Sequence, residues 1–184
     1  GLAGGDLDGI FAAGLGLTGD DMTGVFATGL GMGGDDMGGL FVGGLGVGGN
    51  DMTGLFVGGL GVGGNDMTGL FVGGLGVGGD DMAGLFVGGL GVDGDSIGGF
   101  AVSCVAIGAT SMEGVQVAGA YLRAHDMKGL AVGAYNRADQ TATGLQIGIL
   151  NWTPELHGVQ IGLFNYAGNN PAGLRLLPGI NVHL

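Results

Sequence analysis

The stretch Thr53–Met82 reads TGLFVGGLGVGGNDM followed by TGLFVGGLGVGGDDM, and the two lines differ at one place. The sequence therefore repeats with a period of 15. We call each copy a row and number its positions from 1 to 15, so that Thr53 is position 1 and Met67 is position 15. One row, Thr143–Leu156, is short by a single position. Rows begin at Asp8, Thr23, Gly38, Thr53, Thr68, Ala83, Gly98, Glu113, Lys128, Thr143, His157 and Ala172.

A unit of this length is too short for a helical hairpin repeat, which needs more than about 30 residues. Glycine would also cost about 1 kcal/mol at each helical site. One coil of a β-solenoid fits, with coils stacked about 4.8 Å apart and hydrogen-bonded to each other. We predict an all-β fold, a single β-solenoid of about twelve 15-residue coils that spans 1–184 as one domain.

The cross-section of the coil has two solutions from the sequence alone. The row divides into three pentads, which suggests three short sides, but a flattened coil with two longer strands also fits. The alternation in Gly144–Ile149 predicts a strand with Leu145, Ile147 and Ile149 on one inner face. Methionine, usual at position 15, is expected to fill the core. Glycine occupies position 2 of all twelve rows, where we expect a sharp turn with positive φ.

Composition excludes several classes of protein. The 184 residues include 50 glycines but only 3 prolines and 1 cysteine, and 46% are apolar. Collagen needs glycine at every third position with abundant proline. Disorder needs low hydrophobicity, and a disulfide scaffold needs many cysteines.

Charge divides the chain unevenly. Residues 1–122 hold 13 acidic side chains and no lysine or arginine, whereas 123–184 carry a small positive excess. Nucleic-acid binding through phosphate neutralisation needs the opposite sign of charge.

The longest uncharged run, Leu156–Leu174, is too polar and broken to form a transmembrane helix. We distinguish a glycine-rich acidic zone, 1–99, from a more conventional zone, 100–184. The start at Gly1, inside a repeat, is what a processed secreted protein or a fragment would show.

Position 4 is phenylalanine in the first six rows and changes to alanine, glutamine or arginine in later rows. Its neighbours at positions 3 and 5 are apolar, as in Leu55 and Val57. If those face inward, position 4 faces outward, and the phenylalanines form an aromatic stripe larger than a soluble monomer usually exposes. This predicts a self-assembly surface, and the alternative is that position 4 points into a second core. The stripe comprises Phe11, Phe26, Phe41, Phe56, Phe71 and Phe86.

Positions 13 and 14 form an acidic ladder. Stacked carboxylates one coil apart repel each other by about 0.9 kcal/mol even in bulk water, and a hard cation with oxygen ligands would relieve this. Calcium is therefore the candidate cofactor, and a solvated turn row with capping side chains is the alternative. The candidate calcium ladder comprises Asp20, Asp21, Asp35, Asp36, Asp51, Asp66, Asp80 and Asp81.

The remaining chemistry-bearing residues form no pattern. The three histidines fall at different row positions, and Cys104 lies in an apolar strand, where we expect it to be buried and inert. Trp152 and Tyr166 share a row position in adjacent coils and are expected to stack. No catalytic constellation is present, so we predict that the chain is not an enzyme.

Two segments carry a resemblance to a known family. Gly144–Asn151 reads GLQIGILN and Gly158–Asn165 reads GVQIGLFN. They resemble the G-[VL]-Q-[IL]-G-[IL]-[LFI]-N units of a family of bacterial secreted surface-repeat proteins. The resemblance covers about 114–184, whereas rows 8–97 depart from it. It implies export and a cell-surface setting. The architecture alone also looks like curli-type amyloid, in which secreted β-solenoid subunits stack end to end.

These features predict a secreted structural protein, an extracellular filament or surface-layer subunit whose partner is a copy of itself. In that hypothesis coils stack end to end through an open first edge, the aromatic stripe gives lateral contact, and Pro171 and Pro178 shape the last coil. The alternative is a rigid cell-surface adhesion or binding module, with calcium dependence as one form of it.

Overall fold

The computed structural model describes the whole chain, Gly1–Leu184, which divides into two compact units. Unit 1 is Gly1–Gly94 and unit 2 is Asp95–Leu184. Both consist of stacked β-coils, and together they contain about 11 turns spaced roughly 15 residues apart. The predicted all-β solenoid is confirmed. The structure has no helix that is long and apolar enough to cross a membrane.

Unit 1 is built from short strands followed by four strands of 13 residues each, separated by two-residue turns at row positions 7 and 8. All pairings recorded within the unit are parallel. The strands are β1 Leu2–Ala3, β2 Leu7–Ala13, β3 Gly16–Thr18, β4 Asp21–Thr28, β5 Gly31–Gly43, β6 Gly46–Gly58, β7 Gly61–Gly73 and β8 Gly76–Gly88.

Strand β9, Gly91–Ser103, contains the boundary between the units. Unit 2 continues with parallel strands, but its last strand, β15, pairs antiparallel with β14. Parallel stacking therefore ends at β14. The strands are β10 Ala106–Ala118, β11 Tyr121–Val132, β12 Tyr135–Ile147, β13 Leu150–Thr153, β14 Glu155–Ala167 and β15 Leu176–His183.

Each coil has three short sides, the first of the two predicted cross-sections. Inward-facing side chains come from positions 4, 10 and 15, as in Phe56, Val62 and Met67. The alternation of inward and outward residues is interrupted at positions 13 and 14, which both face solvent, and again around position 2. The turn at positions 7 and 8 supplies the third corner.

The fixed glycine at position 2 is required by the backbone. Gly54 has φ of 132°, and the glycines of all twelve rows share a positive φ. A Cβ atom at Gly54 would also lie against the carbonyl oxygen of Gly39 in the neighbouring coil. Only glycine tolerates both conditions, so the predicted turn with positive φ is confirmed.

Unit 2 departs from the strict repeat at two places. One is the short row, where Thr141 pairs with Glu155, one position short of a full period. The other lies between β11 and β12. Tyr121 pairs with Tyr135, one position short of a full period, whereas Asp126 pairs with Thr141, a full period further on. The turn before Tyr135 is therefore shortened, and a bulge next to Ala138 restores the register. Bulges re-aim side chains, and this one carries Asp139.

The last coil is shaped by proline, as the sequence predicts. Pro178 lies in β15 next to Gly179, where the pairing with β14 shifts between Gly162 and Asn165. Proline has no backbone N–H to donate, so it is confined to such irregular places or to sheet edges.

Candidate functional site

The phenylalanine ladder is inside the coil, so the predicted exposed stripe is wrong and the second-core alternative is correct. Five of the six rings have no solvent exposure, and Phe11 in the first row is half-buried. Successive rings stack with centroids 4.8–5.3 Å apart and interplanar angles of 2–12°. The buried rings are Phe26, Phe41, Phe56, Phe71 and Phe86.

In unit 2, too, the residues predicted to face outward are buried and those predicted to face inward are more exposed. Gln146 is 2% exposed, whereas Leu145 is half-buried and Ile147 and Ile149 are 36% and 58% exposed. The period of the alternation was predicted correctly, but the prediction that the aliphatic residues face inward is wrong. Periodicity identifies two faces of a strand without saying which is buried, and a one-residue shift exchanges them.

Buried amides in unit 2 are satisfied by the same residue type in the next coil. Asn136 donates to Asn151 Oδ1 at 2.7 Å, and Asn151 donates to Asn165 Oδ1 at 2.7 Å. Gln160 donates to Gln146 Oε1 at 2.8 Å. Asn151 both accepts and donates along the stack, which lowers the cost of burying its amide, whereas Asn136 Oδ1 and Gln160 Oε1 have no hydrogen-bond partner. This ladder was not predicted, although asparagine recurring once in each of these coils was a visible signal.

Aliphatic residues occupy the outer side that the phenylalanines were predicted to hold. We call the outward residues at positions 3 and 5 the aliphatic side. Within unit 1, Val42 is 41% exposed and Leu85 is 36% exposed. Within unit 2 the side continues onto β15, where Val182 pairs with Val159 and Ile180 with Ile161. The members in the most regular rows of unit 1 are Leu40, Val42, Leu55, Val57, Leu70, Val72, Leu85 and Val87.

A leucine edge lies beside the aliphatic side in unit 1, at position 8 in the turn. Its side chains are 47–63% exposed. Contiguous apolar surface of this kind marks contact sites on soluble proteins. The leucine edge comprises Leu15, Leu30, Leu45, Leu60, Leu75 and Leu90.

The aspartate ladder, which we define as the aspartates at position 14, is exposed and in register. Unit 1 contains eleven acidic side chains and no lysine or arginine, so these carboxylates have no cation of their own unit beside them. Desolvation and repulsion from neighbouring carboxylates raise the pKa of Asp21, with Asp36 the largest charge contributor. The aspartate ladder comprises Asp21, Asp36, Asp51, Asp66 and Asp81.

Position 13 is also exposed, and asparagine relieves its charge. The Asn50 side chain donates to Asp35 Oδ1 on the neighbouring coil at 3.0 Å. No group of three or more His, Cys, Asp or Glu side chains is arranged to hold a metal ion. The calcium site therefore stays a prediction. The aspartates at position 13 are Asp20, Asp35, Asp80 and, in unit 2, Asp95.

A shallow groove of about 460 Å³ runs along the aspartate ladder. It lies where Gly38 takes the place of the threonines found at position 1 in the flanking rows. Its wall therefore combines carboxylates and hydroxyls around a residue without a side chain. The lining includes Asp21, Thr23, Asp36, Asp51 and Thr53.

An arginine pair stands on the outer side of unit 2, on neighbouring coils. Arg123 and Arg137 pair in register and are 52% and 42% exposed. Arg123 donates to Asp139 Oδ2 from Nε at 3.0 Å and from Nη2 at 2.8 Å, and Arg137 Nε donates to Oδ1 at 2.6 Å. These hydrogen bonds hold the pKa of the Asp139 carboxyl below its usual range, and the hydrogen bond from Arg123 has the largest effect. Two guanidinium groups thus share one carboxylate.

Two further expectations have clear outcomes. Trp152 and Tyr166 stack with centroids 3.9 Å apart, as predicted. Cys104 is exposed, so the prediction that it is buried is wrong. It lies at position 7, in the turn, and a turn residue faces solvent whatever the polarity of its neighbours.

We compared the chain with family models, curated proteins and solved structures. No family model, no curated protein and no solved structure matches this chain.

Proposed function

We propose that the protein is structural: a β-solenoid subunit that associates with copies of itself, in an extracellular filament or surface layer. The observation that carries the proposal is the aliphatic side, which repeats outward in every regular row. It replaces the phenylalanine stripe as the lateral contact. The resemblance of 114–184 to secreted surface-repeat proteins supports the extracellular setting. The absence of enzymatic activity stays a prediction from sequence.

The aliphatic side and the leucine edge of unit 1 together have a size that suits self-association. Six rows stacked about 4.8 Å apart and five steps of about 3.3 Å along each coil, from position 3 to position 8, give about 480 Å² per copy. Two such faces in contact would bury about 1,000 Å², the lower limit for a specific interface. Aliphatic side chains on strands also pack well against each other across sheets.

The antiparallel strand β15 bears on the direction of the proposed assembly. The antiparallel strand β15 covers β14, and a strand that ends parallel stacking acts as a cap. We therefore favour side-by-side contact over the addition of coils at that end.

Sedimentation velocity and electron microscopy of the purified chain test this proposal. We expect fibres or large oligomers, and we expect the variant Leu40→Thr/Leu55→Thr/Leu70→Thr to shift toward monomers with a nearly unchanged melting temperature. Threonine keeps the strand preference while removing outward apolar surface. The control Thr68→Ser, on another side of the coil, should assemble like the wild type. A wild-type chain that stays monomeric at high concentration would contradict the proposal.

A further inference from the structure

Two charged surfaces of this chain carry charge that their immediate neighbours do not balance. The aspartate ladder belongs to a unit with no basic residue. The arginine pair of unit 2 shares the single carboxylate of Asp139. A guanidinium carries five N–H donors, so donors on both arginines remain for a partner. The two surfaces are opposite in charge.

We propose that the Arg123–Arg137 pair of one copy docks into the groove of the aspartate ladder in unit 1 of a second copy. The proposal rests on the self-association proposed above and names a second contact for it. The partner is identified by charge: unit 1 has a net charge of −11, and the pair is the exposed basic cluster of a chain that is otherwise acidic.

The spacing of the two surfaces matches. Arg123 pairs with Arg137 across neighbouring coils, and Asp36 pairs with Asp51 in the same way. Both distances are set by the spacing of parallel strands, about 4.8 Å. Two arginines one coil apart can therefore face two aspartates one coil apart when the coils of the two copies stack along the same direction.

The groove suits guanidinium groups in its form as well as its charge. Gly38 leaves a gap between Thr23 and Thr53, so a planar group can approach the carboxylates of Asp36 and its neighbours. Arginine binds carboxylates through paired N–H donors in a fixed fork, which favours a flat, open acidic surface. The groove runs along several coils, as an extended cationic partner requires.

The contact would be heterologous, because it joins different surfaces of two copies. Heterologous contacts that do not close into a ring extend without limit, and this is the contact that a filament needs. The aliphatic side brings copies together side by side. The arginine contact would add a second, directional link between these copies, and its charged character makes it sensitive to salt.

A charge-inversion experiment on the full chain tests the proposal. The first variant, Arg123→Glu/Arg137→Glu/Asp139→Lys, inverts the arginine cluster while keeping its internal pairing. The second variant, Asp36→Lys/Asp51→Lys, inverts the groove. Each variant alone is expected to lose at least tenfold in association by sedimentation velocity at low salt. An equimolar mixture is expected to recover it, because each inverted surface then faces an opposite charge. Circular dichroism and melting confirm that both variants fold.

Matched controls and salt separate this contact from the aliphatic one. Arg123→Gln and Lys128→Gln each remove one positive charge from unit 2, and only Arg123→Gln should weaken association. Raising the salt from about 0.01 M to about 1 M shortens the Debye length from about 30 Å to about 3 Å and should abolish the arginine contact. Association that is independent of salt and not restored by mixing would overturn this proposal and leave the proposed function standing. No association under any condition would overturn both.

A calcium-binding measurement completes the test. A calcium titration by calorimetry would detect binding to the groove. Binding that depends on Asp36 and Asp51, without any effect of the arginine variants on association, would assign the groove to a cation and overturn the proposal. Competition, in which calcium reduces salt-sensitive association, would support a shared surface.

Discussion

Glycine serves two different purposes in this coil. At position 2, as in Gly54, φ is positive and the neighbouring coil occupies the space of a Cβ atom. At position 11, as in Gly63, a Cβ atom would meet its nearest neighbour, the carbonyl oxygen of Gly78, at 3.6 Å, an ordinary contact. The first glycine is fixed by geometry, and the second is free to vary.

A matched pair of substitutions tests this difference. Gly54→Ala should lower the free energy of unfolding by about 2–4 kcal/mol, since it combines a forbidden φ with a steric clash. Gly63→Ala should leave it unchanged or raise it by up to about 1 kcal/mol, because alanine reduces the entropy of the unfolded chain. Urea unfolding monitored by circular dichroism measures both. Equal losses for the two variants would contradict the assignment.

At the residue scale, prediction from sequence failed for position 4. Phe56 and Gln146 share that position, and the rule that polar residues face outward led to the wrong face for both. Phenylalanine is buried with methionine and valine in the core of unit 1, whereas Gln146 is buried because Gln160 hydrogen-bonds to it. The sequence of one row cannot show this hydrogen bond, because Gln160 lies in the neighbouring coil.

The buried amide ladder is the element that distinguishes unit 2 from unit 1. Asn151 accepts a hydrogen bond from Asn136 and donates to Asn165 Oδ1 and to the carbonyl oxygen of Ile161. Its loss would leave Asn165 Oδ1 without the donor it has on the neighbouring coil and would remove one of the acceptors of the Asn136 amide. Networks of this kind are costly when they are half-satisfied.

Asn151→Ala should therefore destabilise unit 2 by about 3 kcal/mol, from three hydrogen bonds of about 1 kcal/mol each. Ile149→Ala, at a side chain that is 58% exposed, should change the free energy of unfolding by less than about 0.5 kcal/mol. Thermal unfolding compares the two. A larger loss for Ile149→Ala would mean that the outward face, and not the amide ladder, holds the coils together.

Secondary-structure elements were easier to predict from the sequence than the positions of single side chains. The strict 15-residue period predicted the coil, and the glycine at position 2 of every row predicted one of its turns. The register followed, because identical rows stack residue on residue, as Phe41 on Phe56. The bulge at Asp139 was not predictable, since a deletion and an insertion cancel within one row. That bulge is also why the arginine pair shares a carboxylate, so the candidate site was only partly visible in the sequence.

The whole molecule carries a net charge of −12 at pH 7, and its isoelectric point is about 4.1. Copies therefore repel each other at neutral pH unless an apolar or oppositely charged surface brings them together. Acidic pH acts in opposite directions on the two proposed contacts. Protonation reduces the general repulsion but also removes the charge that the arginines would recognise.

Association of the Arg123→Gln/Arg137→Gln variant should accordingly rise as pH falls from 7 toward 4. The raised pKa of Asp21 means that part of the ladder is neutralised above the usual range for aspartate. Light scattering at fixed low salt follows the change. Association of this variant that falls with pH would show that its remaining contacts depend on ionised carboxylates, contrary to an aliphatic interface.

The outward glycines at position 11 offer one practical consequence. Gly33, Gly48 and Gly63 recur on successive coils, and each has room for a side chain. After Cys104→Ser removes the exposed native thiol, cysteines placed at two of them would carry spectroscopic labels at separations that grow in equal steps of about 4.8 Å. Unit 1 would then serve as a molecular ruler, on which distances measured by paired spin labels are set in advance by the choice of rows.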